Sequence, residues 1–200
     1  MKILLVGASG TIGRAVHTVL TGRGHQVVTV GRSGGDLRAD VSDPASVTRL
    51  YEQVDGLDAV AVAAGDAVFA PLGALTYDDL ATTLRTKALS QLELVRQGAR
   101  HIAADGSFTL VTGVITDDPI FAGAAAAAAN GAVDAFVRAA ALELAPQRVN
   151  AVSPGLVAES ADAYESAFPG METVPAEQVA RAYVRSIEGR LTGRTFRVGY

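Results

Sequence analysis

The stretch VGASGTIGRAV, residues 6–16, joins a short apolar run to a helical pattern through three glycines spaced three apart. In such a junction Gly7 allows a tight turn, Gly10 lets the backbone approach a phosphate, and Gly13 lets the helix pack closely on the strand. The helix N-terminus that follows presents free N–H groups and a positive dipole to a pyrophosphate. The stretch therefore predicts a dinucleotide-binding turn, whose assigned residues are Gly7, Ser9, Gly10, Thr11, Ile12 and Gly13.

The rest of the chain alternates short apolar runs, bounded by glycine, with longer helical patterns. Strands are predicted at residues 3–6, 26–31, 37–39, 58–65, 107–113, 148–155 and 194–199. Helices are predicted after the glycine turn, after an Asp43 cap followed by Pro44, and at residues 77–100, 121–144 and 175–188. This alternation predicts an α/β fold: a Rossmann-type, doubly wound, mostly parallel seven-stranded sheet with helices on both faces. We expect a single domain spanning residues 1–200.

Composition and charge exclude several other classes of protein. The 200 residues carry a net charge of −4, which offers no basic surface for nucleic acid and no cationic face for an anionic membrane. Cysteine is absent, so disulfides and thiolate chemistry are excluded, and three scattered histidines lack the spacing of metal ligands. No apolar run approaches the ~20 residues of a membrane span. We expect a cytoplasmic protein without a bound metal.

The end of the second predicted strand indicates which dinucleotide binds. Proteins that select NAD usually carry an acid there, but this chain reads VTVGRSGG at residues 28–35. Arg32 and Ser33 instead suit a 2′-phosphate, which accepts charge-assisted hydrogen bonds, and Arg14 adds positive potential nearby. We therefore predict NADP, in its reduced form NADPH, as the cofactor. The alternative is that Arg32 is a solvated loop residue.

Together these motifs resemble the short-chain dehydrogenase/reductase family over nearly the whole chain. The matching stretches are GASGTIG at 7–13, ADVSD at 39–43, AAG at 63–65, AFVRAAALELA at 135–145 and RVNAVSPG at 148–155. The resemblance implies further coenzyme contacts, which are Asp40 and Val41 beside the adenine, Ala63, Ala64 and Gly65 along the ribose, and Pro154, Gly155 and Val157 at the nicotinamide. It also implies a homodimer or homotetramer in which the two long helices pair.

The resemblance breaks at the residues that carry the family's chemistry. The family has a tyrosine that transfers the proton and, four residues later, a lysine that lowers the pKa of that tyrosine. Ala126 and Asn130 occupy these two positions. The family's serine falls at Thr112 or Gly113, and Lys87 stands near the position of a family asparagine. The family's helix between the second and third strands is also nearly absent.

Lys87 is the candidate replacement for the missing cation. We hypothesise that it projects toward the coenzyme, that burial lowers its pKa, and that it acts as a general acid in a site with Thr112 and Asn130. The alternative is an ordinary lysine on a helix surface. The alanine run at 124–129 also has two interpretations: decay of a catalytic site, or a pocket lined by small side chains for a bulkier substrate.

Three functions are compatible with these residues. The first is an NADP-dependent oxidoreductase acting on a carbonyl or alcohol of an unknown small molecule, and it is favoured because the nicotinamide and ribose segments are intact. The second is a catalytically impaired NADP(H)-binding sensor or partner-binding module. The third and weakest is a lyase or isomerase that uses Lys87 or Asp117. Tyr77 and Tyr164 are the nearest tyrosines, and Glu159 is expected to turn away from the phosphates.

Overall fold

The computed structural model describes the backbone of residues 1–200 and every side chain except those of residues 163 and 165. Its strands are β1 (Lys2–Val6), β2 (Gln26–Gly31), β3 (Leu37–Arg38), β4 (Leu57–Val62), β5 (Ile102–Val111), β6 (Arg148–Pro154), β7 (Leu156–Val157), β8 (Thr173–Val174) and β9 (Thr195–Val198). Seven of them form a parallel sheet in the order β3-β2-β1-β4-β5-β6-β9. The predicted Rossmann-type, doubly wound α/β fold is confirmed.

Helices cover both faces of the sheet. They are α1 (Thr11–Gly22), α2 (Pro44–Glu52), α3 (Tyr77–Thr83), α4 (Ser90–Gly98), α5 (Ala124–Glu143) and α6 (Ala176–Glu188). In β1, Ile3 and Leu5 pack with α1 and α6, whereas Leu4 and Val6 pack in the core with α2, α4 and α5. Successive strand residues point to opposite faces, so the unbroken apolar run of β1 is what a strand buried on both sides requires.

Local capping signals place α2 as predicted. The Asp43 side chain accepts a hydrogen bond from the Ala45 N–H at 3.1 Å, and Pro44 is the first helical residue. The Asp43 carboxylate satisfies one of the free backbone N–H groups at the start of the helix, and Pro44 has no N–H that would need a partner there. Residues 32–36 connect β2 to β3 without a helix, as the sequence indicated.

The predicted helix at residues 77–100 contains an irregularity that its hydrophobic period did not reveal. A π-helical segment, Leu84–Leu89, joins α3 to α4 without a break. A π turn closes its hydrogen bond one residue later than an α turn, so it changes which side chains face the sheet. Lys87 lies inside this segment.

The predicted irregular segment at residues 156–174 is a loop closed by a small sheet. β7 and β8 pair in parallel, with Leu156 opposite Thr173 and Val157 opposite Val174. Between them the chain forms two 3₁₀ turns. The Glu159 carboxylate accepts hydrogen bonds from the Ala176 N–H at 2.9 and 3.1 Å, so it caps α6.

None of the helices in the described part of the chain is long and apolar enough to cross a membrane. Among the residues with described side chains, no group of three or more acids, histidines or cysteines is placed to hold a metal ion.

Candidate functional site

The glycine turn is shaped by two close approaches. Gly7 has a φ of 86°, and a Cβ there would lie 2.7 Å from Ala64 Cβ and 2.8 Å from the Ala63 carbonyl oxygen. A Cβ on Gly13 would overlap the carbonyl oxygen of Gly7 itself. A Cβ on Gly10 would lie 3.6 Å from the Gly7 carbonyl oxygen, which is an ordinary van der Waals contact. The turn therefore leaves a backbone-lined cradle at the N-terminus of α1.

A cleft of about 510 Å³ opens in front of this cradle, at the carboxyl ends of β1, β2 and β4. The predicted coenzyme residues that line it are Gly7, Ser9, Gly10, Thr11, Ile12, Arg32, Asp40, Val41, Ala63, Ala64 and Gly65. Gly13 lies behind the cradle, where it packs on Gly7, and Ser33 lies on the exposed loop outside the lining.

Charged groups surround the mouth of the cleft. Arg32 pairs with Asp66 at 3.4 Å, and both side chains are largely exposed. The Arg14 guanidinium donates to the carbonyl oxygen of Ser9. Hydrogen bonds from the hydroxyl and N–H of Ser42 lower the pKa of Asp40, with smaller help from nearby arginines. The mouth therefore holds the Asp40 carboxylate together with the Arg32 guanidinium, whose described partner, Asp66, is itself exposed.

A second cavity of about 390 Å³ adjoins the cleft. The two share Gly65, Asp66, Ser160 and Tyr164 in their walls. All three residues that the sequence assigned to chemistry line the second cavity, together with the predicted nicotinamide residues; they are Lys87, Thr112, Asn130, Pro154, Gly155 and Val157. Ala126, one turn before Asn130 on α5, lines it too. The cavity is therefore lined by residues from the end of β4, the π-helical segment, the end of β5, α5 and the β6–β7 segment.

Two residues that line this cavity each carry a buried polar atom without a described partner. Thr112 Oγ1 and Asn130 Oδ1 are 3% and 1% exposed at the residue level, and neither has a hydrogen-bond partner among the described residues. The Asn130 amide nitrogen is oriented by the Gly113 carbonyl at 3.4 Å. Buried polar atoms are usually satisfied, so a ligand that supplies hydrogen-bonding groups fits this wall.

Lys87 contributes the cavity's cation. A Cβ on Gly65 would lie 3.2 Å from Lys87 Cγ, so the lysine stem packs against the bare backbone of that glycine. Burial lowers the pKa of the Lys87 ammonium, and attraction to Asp66 offsets part of that effect. An ammonium that gives up its proton more readily than an exposed lysine is suited to proton transfer.

The structure places two of the remaining candidates outside this cavity and one in its wall. Asp117 lies outside the lining, where Arg197 binds it through two hydrogen bonds of 2.8 and 3.0 Å and lowers its pKa. Tyr77 is 83% exposed on α3, outside the lining as well. Tyr164, by contrast, lines both the cleft and the cavity.

Sequence reasoning missed one residue that lines the site and one buried residue that supports it. Asp66 lines both spaces and faces Arg32, but an acid after a glycine carries no recognisable motif. Gln91 is fully buried beneath the Lys87 turn, where it bonds the Lys87 carbonyl at 2.6 Å. A glutamine on the buried face of a helical pattern was the signal that could have identified it.

This geometry defines a class of protein: an α/β domain with a glycine-lined cleft, of the kind that binds dinucleotides, which opens into a smaller cavity. The family model described as enoyl-(acyl carrier protein) reductase matches residues 16–188. The chain therefore belongs to the short-chain dehydrogenase/reductase family, whose members are oxidoreductases that bind a nicotinamide coenzyme and are generally oligomeric.

Solved structures and curated proteins agree with this assignment. The protein lin1944 from Listeria innocua is 45% identical, with a TM-score of 0.97 and coverage of 99% of both chains. A small-chain dehydrogenase in complex with NADPH is 28% identical, with a TM-score of 0.88 over 99% of this chain and 96% of that one. The versicolorin reductase stcU of Emericella nidulans is 29% identical over 88% of this chain and 77% of its own length.

Proposed function

We propose that the protein is an NADPH-dependent oxidoreductase that reduces a carbonyl group of a small molecule, or oxidises the corresponding alcohol. The observation that carries this proposal is the convergence of Lys87, Thr112 and Asn130 on one cavity that opens into the glycine-lined cleft. A similar structure contains NADPH, and the reductase name of a curated relative favours the same reaction class.

The chain's own residues fit the coenzyme. The cradle that Gly7 and Gly13 keep clear suits a pyrophosphate at the α1 N-terminus, and the exposed Arg32 guanidinium suits a 2′-phosphate. Asp40 and Val41 would border the adenine. The ribose-side residues would be Ala63, Ala64 and Gly65, and the nicotinamide-side residues would be Pro154, Gly155 and Val157. Ser33 would assist Arg32 only if its loop turned toward the cleft.

NADPH, when bound, supplies the hydride that reduces the carbonyl carbon. The Lys87 ammonium donates the proton that the carbonyl oxygen needs as it becomes a hydroxyl, and solvent returns a proton to the amine. Thr112 and Asn130 orient the bound molecules through their unpartnered oxygens. The reverse reaction uses the same groups in the opposite protonation states.

A second candidate function rests on Ala126. This alanine occupies the family's tyrosine position and is 1% exposed in the cavity wall, so the usual phenol is missing from an otherwise preserved site. A protein that binds NADPH without turnover, as a sensor or a module that binds a partner protein, would show the same residues. We also propose a homodimer or homotetramer, since Leu89 and Leu142 are exposed on the long helical elements that the family uses for pairing.

Calorimetric titration with NADPH and NADH tests the coenzyme assignment. We expect NADPH to bind at least about tenfold more tightly, and Arg32→Ala to remove that preference, because charge-assisted hydrogen bonds are worth about 1.5–3 kcal/mol. Arg49→Ala is the matched control, since Arg49 and its partner Asp43 lie outside the cleft lining. Equal affinity for both coenzymes in the unmodified protein would remove the role given to Arg32.

Turnover separates the two functions. NADPH oxidation is followed with a panel of ketones, aldehydes and quinones, using the unmodified chain, Lys87→Met, and the double variant Ala126→Tyr with Asn130→Lys. Loss of about 10²–10⁴-fold in kcat for Lys87→Met supports the enzyme with Lys87 as general acid. Tight NADPH binding with turnover only in the double variant identifies the sensor instead.

A further inference from the structure

Asp66 occupies the boundary between the two spaces of the site. It follows Gly65 at the carboxyl end of β4 and lines both the coenzyme cleft and the Lys87 cavity. Its carbonyl oxygen accepts a hydrogen bond from Thr86 Oγ1 at 2.8 Å. Because Thr86 precedes Lys87 in the π-helical segment, the backbone of Asp66 is tied directly to the turn that carries the lysine.

On the cleft side, Asp66 holds the cation assigned to the coenzyme. Its carboxylate lies 3.4 Å from the Arg32 guanidinium, and the side chains are 76% and 74% exposed. An exposed ion pair of this kind contributes little free energy, so another anion can readily replace the carboxylate. A 2′-phosphate that approaches Arg32 would displace the Asp66 carboxylate, which is the weaker acceptor, and would repel its negative charge.

On the cavity side, Asp66 is the acid that acts on Lys87. Burial lowers the pKa of Lys87, and attraction to Asp66 raises it. Among the described side chains of the cavity lining, the other titratable group is the phenol of Tyr164. Arg85, on the same π-helical segment, is exposed and acts on Asp40 at the cleft mouth. No other described acid lines the cavity, so the position of Asp66 governs the charge balance there.

We propose that Asp66 is a specificity-determining residue, a counter-ion shared by Arg32 and Lys87, which a bound 2′-phosphate redirects from the arginine to the lysine. The proposal rests on the function proposed above. With a coenzyme that lacks the 2′-phosphate, Asp66 stays with Arg32 and the lysine loses its proton more easily. With NADP(H), Asp66 supports the charged lysine, so the choice of coenzyme is communicated to the proton donor.

Lysine NMR offers a direct readout that does not depend on activity. Lys2 and Lys87 are the two lysines of the chain, so a lysine-labelled sample gives two side-chain signals, and Lys2 serves as an internal control. Its ammonium binds the Asp55 carbonyl, far from the site in sequence. We expect the Lys87 titration to lie roughly half a pH unit or more higher with NADP⁺ than with NAD⁺. The nicotinamide charge is the same in both and cancels.

Asp66→Asn tests the shared carboxylate. In this variant we expect the Lys87 titration to move to lower pH and to become the same with both coenzymes. NADPH should bind about 3–10-fold more tightly, because Arg32 loses its competing acceptor and the phosphate loses a repelling neighbour, whereas NADH affinity stays within about twofold. Asp117→Asn is the control, since it breaks another Asp–Arg pair outside both spaces.

Each outcome has a defined meaning. If Asp66→Asn leaves the Lys87 titration and both affinities unchanged, or changes the two affinities equally, the shared counter-ion is wrong. If the unmodified protein binds both coenzymes equally, the proposed coenzyme assignment is wrong whatever Asp66 does. If Arg32→Ala leaves the NADPH preference intact, Arg32 does not bind the 2′-phosphate and the shared counter-ion is wrong, while the assignment of NADPH stands. If Arg32→Ala abolishes the preference while Asp66→Asn does nothing, the assignment stands and only this inference is overturned.

Discussion

The side-chain amide of Gln91 binds both backbone groups of Val111. Oε1 accepts from the Val111 N–H at 2.8 Å, and Nε2 donates to the Val111 carbonyl at 2.9 Å. The same Nε2 donates to the Lys87 carbonyl at 2.6 Å. Val111 is the last residue of β5, immediately before Thr112, so one buried amide fixes the lysine turn to the strand that carries the hydroxyl.

Gln91→Met is expected to lower the free energy of unfolding by about 2–5 kcal/mol. The substitution keeps the volume but strands buried backbone groups, and each unsatisfied group costs about 1–3 kcal/mol. Urea denaturation followed by circular dichroism measures the loss. Gln53→Met is the control, because Gln53 is exposed and bonds only the Arg49 carbonyl through its side chain. Similar losses of stability in the two variants would contradict the role given to the Gln91 amide.

Substitution by alanine should affect stability differently at two glycines of α1. Gly13→Ala forces a methyl group onto the Gly7 carbonyl, so we expect a loss of about 2–4 kcal/mol in stability together with weaker coenzyme binding. Gly22→Ala meets no atom within 4 Å and should be neutral or stabilise by up to about 1 kcal/mol. Thermal unfolding and NADPH titration of both variants check this. A stable Gly13→Ala variant with full coenzyme affinity would refute the packing role.

Thr112→Val should separate function from stability. It removes a buried hydroxyl without a described partner, so stability should hold or rise by about 1 kcal/mol while turnover falls. Ser107→Ala is the matched control, because Ser107 Oγ is also buried without a described partner but lies outside the cavity lining. The control should keep full turnover. Equal kinetic behaviour of the two variants would remove Thr112 from the site.

Glu188 should make stability depend on pH. Hydrogen bonds from Arg23, with help from His25, lower the pKa of Glu188 to about 2 from the usual 4.5. A depressed pKa means that the folded state favours the carboxylate, so the stabilisation is complete above about pH 4.5 and is lost as pH falls toward about 2.

Glu188→Gln should therefore lower Tm by about 2 °C at neutral pH and make no difference near pH 2. Calorimetric melting across this pH range measures the effect. Glu177→Gln is the control, because its pair with Arg181 is more exposed and joins residues of the same helix. If the Tm difference between Glu188→Gln and the unmodified protein is the same near pH 2 as at neutral pH, the low pKa assigned to Glu188 is wrong.

Much of the architecture was predictable because it depends on short-range patterns. The apolar runs, the glycine spacing and the Asp43–Pro44 signal all act within a few residues, and the structure confirms the strands and the α2 cap built on them. The π-helical segment at Leu84–Leu89 and the β7–β8 pair escaped prediction. Hydrophobic period does not distinguish a π turn from an α turn, and two-residue strands carry no period at all.

The sequence by itself determined the doubly wound sheet, the glycine cradle and the family resemblance, because backbone sterics and side-chain periodicity are local. It also pointed to Lys87, Thr112 and Asn130 one at a time. Only the tertiary structure decided that these three share a cavity, that Gln91 ties the Lys87 turn to the strand before Thr112, and that Asp66 stands between Arg32 and Lys87. Contacts between distant segments depend on the packing of whole elements and on burial, which no local stretch of sequence encodes.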